Sequence, residues 1–176
     1  KGQVIPRVVP DGTLETGAVL TARDRLRWTR DDMAARMEFG LRCAYVHGVS
    51  AIRTHLDSQE DIAATSWAAF EELRARWAGR VELQAVGLAS LTDFRTPWGI
   101  ALADMVARAR GILGGTTDAI GEDQDANNAK LDSLLDLFLR IASERGLDVD
   151  LHVDQSDDVK AFSLPSIARA VIRNRF

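Results

Sequence analysis

The strongest constraint on this chain is a repeat. Gly48, Gly79, Gly111 and Gly146 each follow a helical pattern and precede an apolar run, at spacings of 31, 32 and 35 residues. That interval is the size of one strand-plus-helix unit, and glycine suits the left-handed residue that closes a helix. The runs they introduce, 49–57, 80–88, 112–118 and 147–154, are predicted strands. Between them the apolar residues recur at helical spacing. Met33, Met37, Leu41 and Ala44 form one stripe, with Thr29 as N-cap and Asp32 three residues on. Ala63, Trp67, Phe70, Leu73 and Trp77 form the next; Thr96-Pro97 opens a third helix, with proline where its missing N–H does no harm. Leu131, Leu134, Phe138 and Ile141 mark a fourth, and Ser163 to Pro165 start a fifth bearing Ile167 and Val171.

Strands alternating with helices imply an α/β protein with a parallel sheet. It is either an open doubly wound sheet or part of a (β/α)8 TIM barrel. An open nucleotide-binding sheet carries a glycine-rich phosphate loop after its first strand. Here "AIRTH" is followed by "LDSQED", without glycine, and the adjacent glycines of "GILGGTTD" do not match G-x-G-x-x-G. The barrel is favoured. A self-standing four-stranded sheet would leave both edges unpaired.

Composition narrows the partners. The chain has 176 residues, 46% of them hydrophobic, enough for one domain core. A net charge of −4 and a pI near 5.4 argue against nucleic acid or an acidic membrane surface. No run reaches the roughly 20 apolar residues of a membrane span, no signal-peptide pattern is visible, and the single cysteine, Cys43, cannot form an internal disulfide. A cytoplasmic location is the resulting expectation, with a homo-oligomer left open. Cys43 reads as a small core residue, His47 as a charge complement at a helix C-terminus, and "GEDQDANN" (121–128) as a solvated loop.

Two strands end alike. In "IRTHLD" alternation puts Arg53, His55 and Asp57 on one face; in "LDVDLHVD" it puts Asp150, His152 and Asp154 on one face. Both place a His-x-Asp pair at a C-terminal strand end, where barrel active sites lie. Imidazole and carboxylate are ligands for zinc, iron or manganese, and a carboxylate beside a bound water can move protons. Two histidines alone fall short of the three protein ligands a catalytic site takes.

"YVHGVSAIRTHLDS", "VELQAVGL", "GILGGTTDA" and "ERGLDVDLHVDQSDD", in this order, resemble the cytosine deaminase-type branch of the amidohydrolase superfamily, which includes isopropylammelide amidohydrolases. The resemblance runs through essentially the whole chain. It implies a metal-dependent hydrolase acting on C–N bonds of a cyclic amidine or nucleobase-like heterocycle, with one divalent cation (zinc, iron or manganese). It also implies that residues 1–176 are a partial barrel, about strands two to five. Residues 1–28 would be the loop after strand one, and 29–176 the repeated helix–strand units. Lys1-Gly2 resembles the tail of the family's first-strand His-x-His motif, whose ligands would lie before residue 1; a further histidine and an aspartate would lie beyond Phe176. The strand-five ligand falls on His152. His55 and Asp57 match the strand-two motif and are expected to bind substrate. The family's catalytic glutamate, three residues after the strand-five histidine, is Gln155 here. An amide cannot carry that proton, so Asp154 or Asp157 would have to substitute. Ser90 stands where cytosine deaminases place a substrate-binding glutamine, which implies a different or larger substrate. The alternative implied by Gln155 is a binding protein that kept the barrel and lost the proton shuttle.

Overall fold

A computed structural model describes residues 14–117, 124–155 and 159–176. The described elements run α1 (Leu14–Arg25), α2 (Arg30–Val46), β1 (Ala51–Asp57), α3 (Ala63–Trp77), β2 (Glu82–Ser90), a 3-10 turn (Leu91–Arg95), α4 (Pro97–Arg108), β3 (Ile112–Thr116), α5 (Gln124–Glu144), β4 (Val149–His152) and α6 (Leu164–Asn174). All strand pairs are parallel and the order is β1-β2-β3-β4, so each strand lies beside its neighbour in sequence. This is the order of a stretch of (β/α)8 barrel, in which each crossover adds the next strand on the same side. An open doubly wound sheet reverses direction at a switch point.

The helical stripes pack where their spacing puts them. Trp67, Phe70, Leu73 and Trp77 of α3, Leu102 and Val106 of α4, and Leu131, Leu134, Phe138 and Ile141 of α5 are buried. They cover the sheet face that carries Leu83, Ala85, Ala89 and Leu113. Thr29 accepts from Asp32 N at 3.2 Å, and Thr96 accepts from Gly99 N at 3.4 Å ahead of Pro97, so both expected caps form.

Three of the repeat glycines, Gly48, Gly79 and Gly146, have positive φ, at 81°, 78° and 61°. Gly111 does not. Arg110 takes the left-handed position at φ 53°, and Gly111 is small for another reason. A Cβ there would lie 2.9 Å from Trp67 and 3.0 Å from the Ala85 carbonyl.

Other expectations need correction. Residues 14–25, expected as loop, are helical; weak apolar periodicity and Gly17 hid α1. Its end matters, because Arg25 reaches Gln59 at 3.0 Å and Asp61 at 3.4 Å in the segment after β1. Cys43 is exposed rather than in the core, since Leu41 rather than Cys43 faces the sheet. The acidic run is not all loop: α5 starts at Gln124, and Asn127 is buried, donating to the Thr117 carbonyl at 2.8 Å. Residues 121–123, like Asp118, Lys1 and Gly2, lie outside the described residues. His47 caps α2, its Nδ1 2.6 Å from the Cys43 carbonyl.

Candidate metal centre

Register fixes which side chains share the inner face. His55 pairs with Val86 and Asp57 with Leu88; Leu88 pairs with Gly114 and Gly114 with Asp150; Ser90 pairs with Thr116 and Thr116 with His152. Residues in register point the same way. His55, Asp57, Ser90, Asp150 and His152 therefore occupy one face, opposite the helices; within β1 and within β4 this is what alternation predicted for His55 with Asp57 and for Asp150 with His152.

What the sequence did not show is how close the ends come. β1 and β4 are the outer strands, separated by two others. In a flat sheet three inter-strand steps would hold them about 14 Å apart. Yet the His55 and His152 rings meet edge to face with centroids 4.6 Å apart. His55 Nε2 lies 3.4 Å from Asp150 Oδ1, and Arg53 Nη1 lies 3.7 Å from Asp150 Oδ2. The sheet is thus curled inward, as a barrel wall is.

Gly114, in register between Leu88 and Asp150, helps that curvature. A Cβ there would meet Val86 Cγ1 at 2.5 Å and the Leu88 Cα at 3.1 Å.

The curl gathers one ligand atom each from His55, Asp150 and His152 within 4.8 Å of one another. Two imidazoles and a carboxylate are the donor set of zinc, iron or manganese. Tetrahedral donors about 2.1 Å from an ion sit about 3.4 Å apart, which is the His55–Asp150 distance. The residues fit a divalent cation. Asp150 would supply the third donor that the count of histidines lacked, and the alternation that placed it on the face of His152 was its signal. Arg53 holds the other Asp150 oxygen and also donates to Gln84, its register partner, at 3.2 Å.

The other expected site residues divide. Gln155 belongs to the cluster, with Oε1 3.3 Å from His152 Nδ1. Asp57 is half-buried on the same face as His55. Ser90 sits at the end of β2, level with Thr116 and His152, but its hydroxyl is engaged in capping the adjoining turn. It accepts from Thr92 N at 3.4 Å and lies 2.9 Å from Thr92 Oγ1, while Asp93 Oδ2 accepts from Ser90 N at 3.0 Å. Asp154 does not share the face with His152. The strand ends at His152, Asp154 has φ 53°, and its carboxylate accepts from Ser163 N at 2.8 Å and from the Ser163 hydroxyl. Asp157 lies outside the described residues. An apolar groove lined by Met37, Leu41, Ile52, Phe70, Leu73 and Leu83 lies under the helices, and these six residues bring no titratable side chain to it.

No protein-family model matches the chain. A pterin deaminase of Rhizobium rhizogenes is 40% identical over 173 residues, which is 97% of this chain and 38% of the relative. The chain is similar to part of a cytosine deaminase-like amidohydrolase. The 5-methylcytosine deaminase of Klebsiella pneumoniae, liganded with 5-fluorocytosine, superposes with a TM-score of 0.71 at 21% identity, over 92% of this chain and 38% of that one. The N-isopropylammelide isopropylaminohydrolase of Burkholderia multivorans superposes at 0.62 with 27% identity, over 76% of this chain and 33% of that one. The chain thus spans about two-fifths of the length of the relatives it matches. Among the described residues no helix is long and apolar enough to cross a membrane.

Proposed function

We propose that this chain is the part of a metal-dependent deaminase that supplies the metal ligand His152, and that the whole enzyme replaces an exocyclic amine of a fused, pterin-like cyclic amidine by oxygen. The observation that carries this reading is the convergence of His55, Asp150 and His152 at the C-terminal end of a curled parallel sheet. The identity to a pterin deaminase supports the substrate class. Ser90, short and already hydrogen-bonded, leaves more room than a glutamine would, which suits a two-ring substrate.

The reaction consumes one water and releases one ammonia: the ring carbon exchanges its C–N bond for C–O, and the departing nitrogen takes up protons. A divalent cation at the cluster would acidify the water and polarise the substrate. His152, Asp150 and His55 would hold that cation. Arg53 aims the Asp150 carboxylate by pairing with its second oxygen. Asp57 lines the mouth as a substrate contact. Gln155 cannot shuttle a proton and instead touches His152. The binding-protein alternative rested on Gln155 alone, and no observation favours it.

The test is turnover by the full-length protein, loaded in turn with zinc, iron or manganese. Ammonia should be released from amino-pterins and lost on chelation. If ammonia comes from neither fused nor single-ring amino-heterocycles with any of these metals, the reading is wrong.

A further inference from the structure

The backbone just beyond the cluster holds an unusual turn. Asp154 has φ 53°, a left-handed conformation that persists in a non-glycine residue only where the surroundings over-determine it, although aspartate tolerates it better than most. Here a buried network does so. Thr117 and Ser163 are each 3% exposed. Ser163 donates from its backbone N–H to Asp154 Oδ1 at 2.8 Å, and its hydroxyl reaches the same oxygen. Asp154 N donates to Thr117 Oγ1 at 3.4 Å, and Ser163 Oγ lies 3.0 Å from Thr117 Oγ1.

The same threonine grips the strand end. Thr117 N donates to the His152 carbonyl at 3.0 Å, and its hydroxyl lies 3.3 Å from that oxygen. Ser163 stands at the N-cap of α6, yet makes no side-chain cap there. Its hydroxyl serves the turn instead. One residue past the turn, Gln155 sets Oε1 3.3 Å from His152 Nδ1.

We propose that Asp154, Ser163 and Thr117 are positioning residues. They lock the left-handed turn that seats the Gln155 amide oxygen on His152 Nδ1, holding the proton there and leaving Nε2 with its lone pair for a cation. An amide oxygen only accepts, so this hydrogen bond exists only in the Nδ1–H tautomer. A ligating histidine needs its other nitrogen paired in this way. The lock acts on the metal through two residues and touches no substrate, which accounts for a carboxylate two positions from His152 being spent on a serine. The inference rests on His152 as metal ligand, but the tautomer can be read without metal.

The experiment is long-range proton–nitrogen NMR of the histidine rings in the metal-free full-length protein, above the pH range of histidine titration. Wild type should show His152 as Nδ1–H. Gln155→Leu and Asp154→Ala should each convert it largely to Nε2–H, and the double variant should add nothing. Asp154→Asn should stay close to wild type, because asparagine keeps an acceptor for Ser163 N–H and tolerates the left-handed turn. Should Asp154→Ala not fold, Ser163→Ala, which removes only the hydroxyl, should still give a partial shift. If the Nδ1–H tautomer persists in Gln155→Leu, or in both Asp154→Ala and Ser163→Ala, the lock does not exist.

A cobalt titration of the same variants separates this from the function. Asp154→Ala should weaken cobalt about tenfold, and His152→Ala should lose it. Wild-type protein that binds no cobalt but shows the tautomer shifts would overturn the metal reading and leave the lock standing. Asp154→Asn with unchanged tautomer and cobalt affinity but no turnover would place Asp154 in the chemistry, and overturn the proposal.

Discussion

The pattern His-x-Asp closes both outer strands, and its two copies meet different fates. β1 runs through Asp57, so His55 and Asp57 keep to one face. β4 stops at His152; two residues on, the chain is left-handed and Asp154 is bound to Ser163. Alternation is a property of extended backbone and lapses where extension does. The partners met beyond each strand end decide the matter. After Asp57 comes Ser58, whose hydroxyl donates to the Leu56 carbonyl at 2.9 Å and accepts from Trp67 Nε1 at 3.1 Å, which anchors the chain outward against α3. After His152 the partners are Thr117 and Ser163, which hold the left-handed turn at Asp154.

The comparison is broken most sharply at the histidines themselves. His152 has Nδ1 paired to Gln155, whereas His55 Nε2 is directed at Asp150. Under the proposed function, His152→Ala should lower metal affinity by about 100-fold or more and His55→Ala by about tenfold, with turnover falling in parallel. Chelator competition measures both. Equal losses would make the two strand ends equivalent.

The next largest effect is expected between the two ends, at Gly114. Its place in register with Leu88 and Asp150, and the 2.5 Å approach that an added methyl would make to Val86 Cγ1, mean that Gly114→Ala must displace Val86 or the adjoining backbone of β2. Destabilisation of about 1–3 kcal/mol is expected from such overpacking, read as a lower urea midpoint. A wild-type midpoint would show that the wall relaxes freely and that its curl does not depend on this contact.

Sharpening the Asp57–Asp154 contrast takes two alanine variants. Asp154→Ala removes the acceptor of Ser163 N–H in a buried network and should cost about 1–2 kcal/mol. Asp57→Ala should stay within about 0.5 kcal/mol, as for a side chain outside such a network. Thermal unfolding of both resolves the difference, and similar losses would erase it.

These residues also show what the sequence made legible. Period-two parity gave the histidine and aspartate of each strand end a common face, and glycine spacing marked the four strands, because both signals are local. Gly111 shows the limit of that reasoning: it belongs to the repeat, yet Arg110 makes the turn, and only the ring of Trp67 across the layer explains the glycine. Asp150 as third donor needed the curl that brings β1 to β4, a product of non-local packing. The Thr117–Ser163–Asp154 network joins residues 46 and 9 positions apart and left no pattern to find. α1 escaped because its apolar residues do not line one face.

The smallest expected effect concerns α6, which is tethered at both ends. Near its start Ser163 is held by Asp154; near its finish Arg173 pairs with Asp136 of α5, Nη2 to Oδ1 at 2.8 Å. The Arg173 guanidinium holds the Asp136 carboxyl below the usual carboxylate range, with Asn174 adding a hydrogen bond. A carboxyl depressed on folding stabilises the native state above its unfolded pKa, about 3.9, and that contribution fades as pH falls through the lower folded value. Arg173→Met should therefore unfold slightly earlier than wild type near neutrality, and the gap should close as pH drops below about 4. The pair is exposed, so salt should shrink the gap too. The Ser163 end is buried and should not respond to salt; a salt-independent loss in Arg173→Met would mean that the outer tether, too, acts through packing rather than charge.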